Sequence, residues 1–237
     1  FTIKGKLKKN LLESSLDIDD DNLIAALDAK IDFNHKEPKS LISTKVYASD
    51  LKAIKLTNQP LEFTGSAIMD MSGSNLDNLN GDILFNDITV FKEGQPYGFD
   101  SLYFKSSNDG EFRNMTLSAR DLDAKLKGKF TFAELPATFN QYFSSYYPLY
   151  FKKIAAPKTD QQLEFHLDLR NTGRLLNIFN QKLSGFNYSK IDGRIDTRNR
   201  LFELEAEIPK FTYNKLTAYD FTIKAKGDVD SLRIYSK

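Results

Sequence analysis

The chain of 237 residues contains no cysteine, no tryptophan and only two histidines. The absence of cysteine excludes disulfide bonds, thiolate catalysis and cysteine-based metal sites, and it suits the cytosol and the periplasm equally. His35 and His166 lack the spacing of metal ligands and are expected on the solvated surface. Phosphate-binding glycine loops and nucleophile elbows are also missing. We therefore predict no catalytic residue, no metal and no cofactor, and we expect a protein that is not an enzyme.

Long apolar runs and an excess of one charge sign are missing as well. No stretch approaches the length of a membrane span, and the first residues do not resemble a signal peptide. The 33 basic residues are balanced by 32 acidic ones, so no basic stripe predicts binding to nucleic acid. Because Phe1 is not a start methionine and Lys237 ends within a pattern, we expect an internal piece of a longer chain.

What the sequence does contain is alternation of apolar and polar residues. Strict alternation over five to eight residues predicts strands with one buried and one solvated face, and the 19 phenylalanines and 11 tyrosines suit strands. Turn-forming residues at 72–75, 108–110, 192–193 and 197–200 predict hairpin connections. Glycines within the pattern predict bulges or bends that let a sheet curl. The main stripes begin at Phe1, Leu27, Leu61, Leu79, Leu122, Leu163, Phe202 and Phe221, and the recurring glycines are Gly5, Gly81, Gly128 and Gly193.

Three segments depart from this pattern. Residues 133–153 carry aromatic side chains at three- and four-residue spacing, which predicts a helix or compact loop that Pro148 ends near Tyr147. This segment either plugs the end of a sheet or meets a ligand or membrane at the mouth of a trough. A short helix is predicted over 173–180 and a single capped turn over 22–27. The acidic run 17–21 resembles the start of a calcium loop, but Asn22 and Asp28 replace the required glycine and glutamate, which favours a turn.

These patterns predict an all-β, mainly antiparallel fold. Roughly a dozen strands offer an apolar face while only two short helices are available to cover it. We expect an elongated sheet curled into a hydrophobic groove, folded like a taco, with one or two short helical insertions. The predicted segments are a β-groove over 1–132, an aromatic helical or loop insertion over 133–158, and a second β-groove segment over 159–237.

The chain resembles the TamB family of translocation and assembly module subunits, within the AsmA-like superfamily and in the form found in Bacteroidetes. The resemblance covers most of the chain from about residue 60 onward. Its motifs are diffuse patterns rather than invariant catalytic residues. It rests on residues 79–88 with 94–102, on 165–172 with 175–179, and on 193–195 with 202–204, 208–213 and Leu216.

The resemblance implies a bridge-like protein of the periplasm. Such a protein is anchored in the inner membrane through a segment absent from this fragment, and it carries phospholipid between the membranes or assists outer-membrane protein assembly. Its implied partners are phospholipid acyl chains and, through parts of the chain not present here, an outer-membrane barrel of the BamA or TamA type. The residues expected to line the lipid groove are Leu27, Ile31, Phe33, Leu61, Phe63, Ala67, Met69, Met71, Ile83, Phe85, Phe130, Phe132, Leu163, Phe165, Leu167, Leu169, Phe202, Leu204, Ile208, Phe221 and Ile223.

Other functions fit the same alternation. An outer-membrane β-barrel also alternates, but it needs strands of about ten residues and aromatic girdles. A structural or adhesive β-sandwich would pack its apolar faces against each other and bind no ligand. An enzyme on a β-sandwich or β-helix would need paired acids in a cleft, and the sequence places none there.

Overall fold

The computed structural model of the chain describes residues 1–179, 182–228 and 230–236. Alternating sequences form strands throughout this part of the chain. The strands are β1 (Thr2–Lys8), β2 (Leu11–Asp20), β3 (Leu23–Asp32), β4 (Lys39–Ser49), β5 (Leu61–Ser72), β6 (Asn80–Lys92), β7 (Gln95–Asn108), β8 (Arg113–Ala119), β9 (Leu122–Lys129), β10 (Gln162–Leu169), β11 (Leu183–Gly185), β12 (Ser189–Asp196), β13 (Leu201–Tyr213), β14 (Leu216–Gly227) and β15 (Leu232–Ser236). The helices are α1 (Leu135–Tyr146) and α2 (Gly173–Phe179).

These strands form one open antiparallel sheet in which neighbours in sequence are neighbours in space. The order runs from β1 to β10 and then from β12 to β15, while the short β11 pairs with β13. In the described ranges β1 and β15 are the two edges, and the sheet does not close into a barrel. The predicted all-β, antiparallel fold with two short helical pieces is confirmed.

Internal contacts divide the chain into two compact units. The first unit comprises residues 1–106 and 117–120, and the second comprises 107–116 and 121–237. Along each strand successive side chains alternate between an apolar face and a more polar face. In the first unit the more polar face also carries Leu41, Ile68 and Leu84.

Helix α1 ends as the sequence predicts. Pro136 lies in its first turn, where a missing N–H costs nothing. The helix ends at Tyr146, two residues before Pro148. No helix in the described part of the chain is long and apolar enough to cross a membrane.

Two local predictions were wrong. The turn expected over 22–27 belongs to strand β3, and only Asn22 lies in the tight connection, where its N–H donates to the Asp20 carboxylate at 2.9 Å. The turn expected at 192–193 lies inside β12, because Gly193 pairs with Phe165 on one side and Leu204 on the other. The predicted end of the second helix, Asn180, and the end of the last segment, Lys237, lie outside the described residues.

Two of the recurring glycines occupy backbone positions that only glycine tolerates. Gly81 has φ +128° and Gly128 has φ +141°. A Cβ atom would lie 2.0 Å from the carbonyl oxygen of Asp70 at the first position and of Gln162 at the second. Both neighbours are backbone atoms of the adjoining strand, so these glycines allow close approach of two strands.

Candidate functional site

The apolar face of the first unit consists of cross-strand rows of mainly apolar residues. Antiparallel register places Leu27 beside Leu16 on β2 and beside Thr44 on β4. The same row continues through Ala67 to Phe85. The complete row, from β1 to β7, is Ile3, Leu16, Leu27, Thr44, Ala67, Phe85 and Leu102.

The second unit carries comparable rows on its own apolar face. Leu163 on β10 lies between Gly128 on β9 and Ile195 on β12, and Ile195 in turn faces Phe202. Leu163 and Ile195 are almost completely buried. The parallel row contains Leu126, Phe165, Gly193, Leu204, Ala225 and Ile234.

The ring of Phe165 covers Gly193 within this second row. A Cβ atom at Gly193 would lie 2.1 Å from the Phe165 ring, so the ring occupies the space that any other residue's side chain would fill. An aromatic side chain over a cross-strand glycine restores the apolar cover that the glycine lacks.

Most of the predicted lining residues are neither fully buried nor fully exposed. Only Phe33, which follows β3, is classed as exposed, at 47%. The partly exposed majority leaves apolar surface in contact with water on both units, and such surface is informative here because the side chains adjoin across the strands. The buried ones are Leu61, Ala67, Phe130, Leu163, Phe202 and Ile208; the partly exposed ones are Leu27, Ile31, Phe63, Met69, Met71, Ile83, Phe85, Phe132, Phe165, Leu167, Leu169, Leu204, Phe221 and Ile223.

A cavity of about 320 Å³ opens on the apolar face of the first unit. Two predicted lining residues, Leu27 and Phe63, contribute to its wall. The opposite wall comes from Leu51, Ile54 and Leu56, which the sequence analysis did not single out. In the sequence these three residues are marked only by their spacing within a short polar segment. So short a segment does not distinguish a structural pattern from a chance arrangement.

The segment 50–57 is held over the sheet by Asp50. Its carboxylate accepts the N–H groups of Lys52 and Ala53, each at 3.0 Å, and its carbonyl accepts the N–H of Ile54 at 3.1 Å. The Leu51 N–H also donates to the Leu61 carbonyl at 2.8 Å. This turn therefore directs three apolar side chains toward the cavity with most of its own N–H groups satisfied.

Helix α1 covers part of the apolar face of the second unit. The rings of Tyr142, Phe143 and Tyr146 lie 5.5 to 6.2 Å from the ring of Phe202. The Tyr142 hydroxyl donates toward the carbonyl oxygens of Leu201 at 3.1 Å and Asp196 at 3.3 Å. Burial, together with the nearby Tyr146 hydroxyl, raises the pKa of Tyr142 to about 12, so it stays a neutral donor.

A polar cluster fixes both ends of the segment that contains α1. The buried Gln161 side chain accepts the Thr131 N–H at 2.8 Å and donates to the Glu134 carboxylate at 2.7 Å. Glu134 also accepts the N–H of Lys158 at 3.0 Å and the hydroxyl of Thr159 at 2.6 Å. The Thr159 hydroxyl bond, which outweighs desolvation, holds the pKa of Glu134 below its ordinary value.

One charged residue on the apolar side was missed from the sequence. Arg113 on β8 is buried, and its guanidinium lies 4.8 Å from the ring centroid of Phe130 and 5.5 Å from that of Phe132. Stacking on two aromatic rings is a favourable setting for a desolvated guanidinium. The available signal was its alternation with Met115 and Leu117 along β8.

The opposite face of the second unit is a ladder of alternating charges. Lys127 lies 2.8 Å from Glu164, and Glu164 also faces Arg194 at 3.9 Å. The hydrogen bond from Lys127 holds the pKa of Glu164 below its ordinary value. A cavity of about 830 Å³ lies on this face, but the charges around it are largely paired with each other. The row across the strands is Lys127, Glu164, Arg194, Glu203, Lys226 and Arg233, and the sign alternates as far as Lys226.

The two histidines lie beside carboxylates. The Nδ1 atom of His166 lies 2.7 Å from the Asp192 carboxylate, on the polar face, and the Nε2 atom of His35 lies 3.5 Å from Asp32 in a loop. Among the described residues no group of three or more histidine, aspartate or glutamate side chains is placed to hold a metal ion. The acidic run 17–21 lies in the end of β2 and the turn that follows.

No protein-family model, no curated protein and no solved structure matches the chain.

Proposed function

We propose that this chain is a periplasmic segment of a TamB-like bridge protein, in which the apolar side of the sheet carries phospholipid acyl chains between the inner and outer membranes. The observation that carries the proposal is the continuous but incompletely covered apolar face of each unit. The row from Ile3 to Leu102 crosses seven strands, and most side chains around it remain partly exposed.

An acyl chain is the occupant that best matches such a surface. Each square ångström of apolar surface removed from water contributes about 25 cal/mol, and the gain depends on area rather than direction. A chain lying across these rows needs no polar group to orient it and can slide without breaking hydrogen bonds. The cavity beside Leu27 and Phe63 offers a place where such a chain is enclosed on two sides.

The family resemblance supplies the remaining parts of the proposal. An inner-membrane anchor and an outer-membrane partner of the barrel class would be contributed by segments outside this chain, and assistance to outer-membrane protein assembly is the second activity of this type. A structural β-sandwich without a ligand, or a piece of an outer-membrane barrel, is the competing function.

Lipid extraction tests the proposal directly. The chain is purified without detergent and its bound lipids are extracted and identified by mass spectrometry. We expect phospholipid with the wild-type chain and a loss of most of it with Phe85→Asp, which places a carboxylate in the middle of the row. Leu84→Asp is the matched control, because Leu84 is the adjacent residue on the opposite face of β6.

A photocrosslinking experiment tests the same surface without a substitution that could unfold the protein. Benzoylphenylalanine at position 85 keeps an aromatic side chain, and we expect it to crosslink to phospholipid under ultraviolet light, whereas the same residue at position 84 does not. Wild-type protein without lipid, or equal crosslinking at both positions, would overturn the proposal.

A further inference from the structure

The two most exposed large apolar side chains of the second unit, Leu149 and Tyr150, follow helix α1. Residues 147–154, called the aromatic tip here, connect α1 to the chain that returns toward β10. Leu149 is 95% exposed and Tyr150 is 83% exposed, the largest exposures among the apolar side chains of this segment. Tyr147, Phe151 and Ile154 are also exposed. Exposed apolar side chains gathered in one short segment mark an interaction surface.

The aromatic tip is held in one conformation by its own contacts. The N–H groups of Tyr150 and Phe151 donate to the Tyr147 carbonyl at 3.0 and 3.1 Å. The ring of Phe151 stacks on that of Phe143 in α1, with centroids 5.5 Å apart. These bonds close a tight turn whose apex is Leu149 and Tyr150, so the two side chains are presented outward.

The returning chain is clamped to the helix as well. The Asn140 side chain donates to the Lys152 carbonyl at 3.0 Å and accepts the Ile154 N–H at 3.1 Å. Little ordering entropy therefore remains to be lost when the tip binds a partner.

The charge along the sequence of the tip is of one sign. In a chain with 32 acidic residues, no aspartate or glutamate occurs between Glu134 and Asp160, while Lys152, Lys153 and Lys158 all lie in that stretch. Lys152 and Lys153 are exposed directly beside the apolar apex. Aromatic and leucine side chains flanked by lysines partition to the headgroup region of a membrane, and lysines favour anionic headgroups.

We infer that the aromatic tip docks the second unit onto the surface of a bilayer that contains anionic phospholipid. Leu149 and Tyr150 enter the boundary between headgroups and acyl chains, and Lys152 and Lys153 contact phosphate groups above them. This inference concerns a membrane surface rather than a carried lipid, and it holds whether or not the sheet transports phospholipid.

The absence of tryptophan makes a clean spectroscopic test possible. Tyr150→Trp introduces a single tryptophan at the apex, and Tyr219→Trp introduces one at an exposed position on β14. With vesicles of phosphatidylcholine and phosphatidylglycerol, we expect the emission of the first variant to shift to shorter wavelength and that of the second to stay unchanged. A shift in both variants, or in neither, would overturn the inference.

Sedimentation with the same vesicles measures the strength of docking. Leu149→Ser with Tyr150→Ser is expected to lower the partition coefficient about tenfold or more, since two interfacial anchors are lost. Leu216→Ser with Tyr219→Ser, which removes the same two residue types from exposed positions on β14, is expected to leave it unchanged. Lys152→Gln with Lys153→Gln should remove about a tenfold preference for anionic over pure phosphatidylcholine vesicles.

The outcomes separate this inference from the proposed transport function. The Leu149→Ser, Tyr150→Ser protein should still co-purify with phospholipid, and Phe85→Asp should still sediment with vesicles. Equal sedimentation of the wild-type and tip variants would show that the tip has another partner, such as a protein, and would refute membrane docking.

Discussion

At Glu134 a single carboxylate joins the start of helix α1 to the segment 158–161 of the second unit. It accepts hydrogen bonds from Lys158, Thr159 and Gln161, which follow helix α1 in the sequence. Because its pKa is lowered from 4.5 in the folded protein, the ionised form contributes stability above about pH 4.5, and this contribution is lost as the pH falls through the folded-state pKa.

The Glu134→Gln variant should therefore be less stable than wild type at neutral pH. The difference should shrink as the pH is lowered below 4.5, because the wild-type carboxyl then becomes protonated and loses its charge-assisted bonds. Urea unfolding followed by circular dichroism across this pH range measures both curves. Glu93→Gln, in the exposed turn between β6 and β7, is the control; a constant gap at every pH would contradict the prediction.

Periodicity allows a residue-level prediction of which side chains share a face of a strand. Phe85 and Leu84 are both large and apolar, yet the alternation of Leu79, Gly81 and Ile83 predicts Phe85 on the same face as these residues; in the structure Phe85 pairs with Ala67 and Leu84 with Ile68. Arg113 was missed because a charged residue in an apolar stripe has no signature until its aromatic neighbours, Phe130 and Phe132, are known.

Among the elements, helix α1 is attached to the sheet in part through the buried Tyr142. Tyr142→Phe removes the hydroxyl that bonds the Leu201 and Asp196 carbonyls while keeping the ring on Phe202. We expect a loss of about 1 kcal/mol in the free energy of unfolding, as for a typical buried hydrogen bond. Urea unfolding provides the measurement.

The same substitution at Tyr150 supplies the comparison. Its side chain is 83% exposed, so Tyr150→Phe should leave the unfolding free energy unchanged. Equal losses at the two positions would mean that the hydroxyl of Tyr142 contributes nothing specific to the attachment of α1.

The elements also show where sequence reasoning stops. The end of α1 near Tyr147 was predictable because Pro148 cannot continue a helix. The apolar turn at 50–57 could not be predicted. Its structure depends on hydrogen bonds to Asp50 and on the bond from Leu51 to Leu61, the first residue of β5. Short segments of this kind are fixed by tertiary contacts rather than by local propensity.

For the whole molecule, strands that follow each other in the sequence also pair with each other. A substitution that disrupts one strand is therefore expected to unfold its neighbours rather than the whole sheet. Ser43 lies in the middle of β4, between Asp28 on β3 and Ile68 on β5. Ser43→Pro removes a backbone N–H group from the hydrogen bonds between these strands. Because each element in such an array is stabilised mainly by its direct neighbours, the effect should stay near β4. Hydrogen exchange measured by mass spectrometry should show faster exchange in β3, β4 and β5, with β12 and β13 unchanged.

Ser43→Ala is the control for this experiment, since it removes the hydroxyl without removing the N–H group. A uniform rise in exchange throughout the described strands would show that the chain opens as one cooperative body, and it would contradict the local picture.

The packing of Phe165 over Gly193 has an evolutionary consequence. The two positions share one volume, so a methyl group at 193 requires the ring at 165 to move away. Related chains should therefore change these positions together, with an aromatic residue at 165 inherited only alongside glycine at 193 and a larger residue at 193 alongside an aliphatic one at 165. Although the two residues lie in different strands, a substitution at one is expected to be retained only together with a compensating substitution at the other.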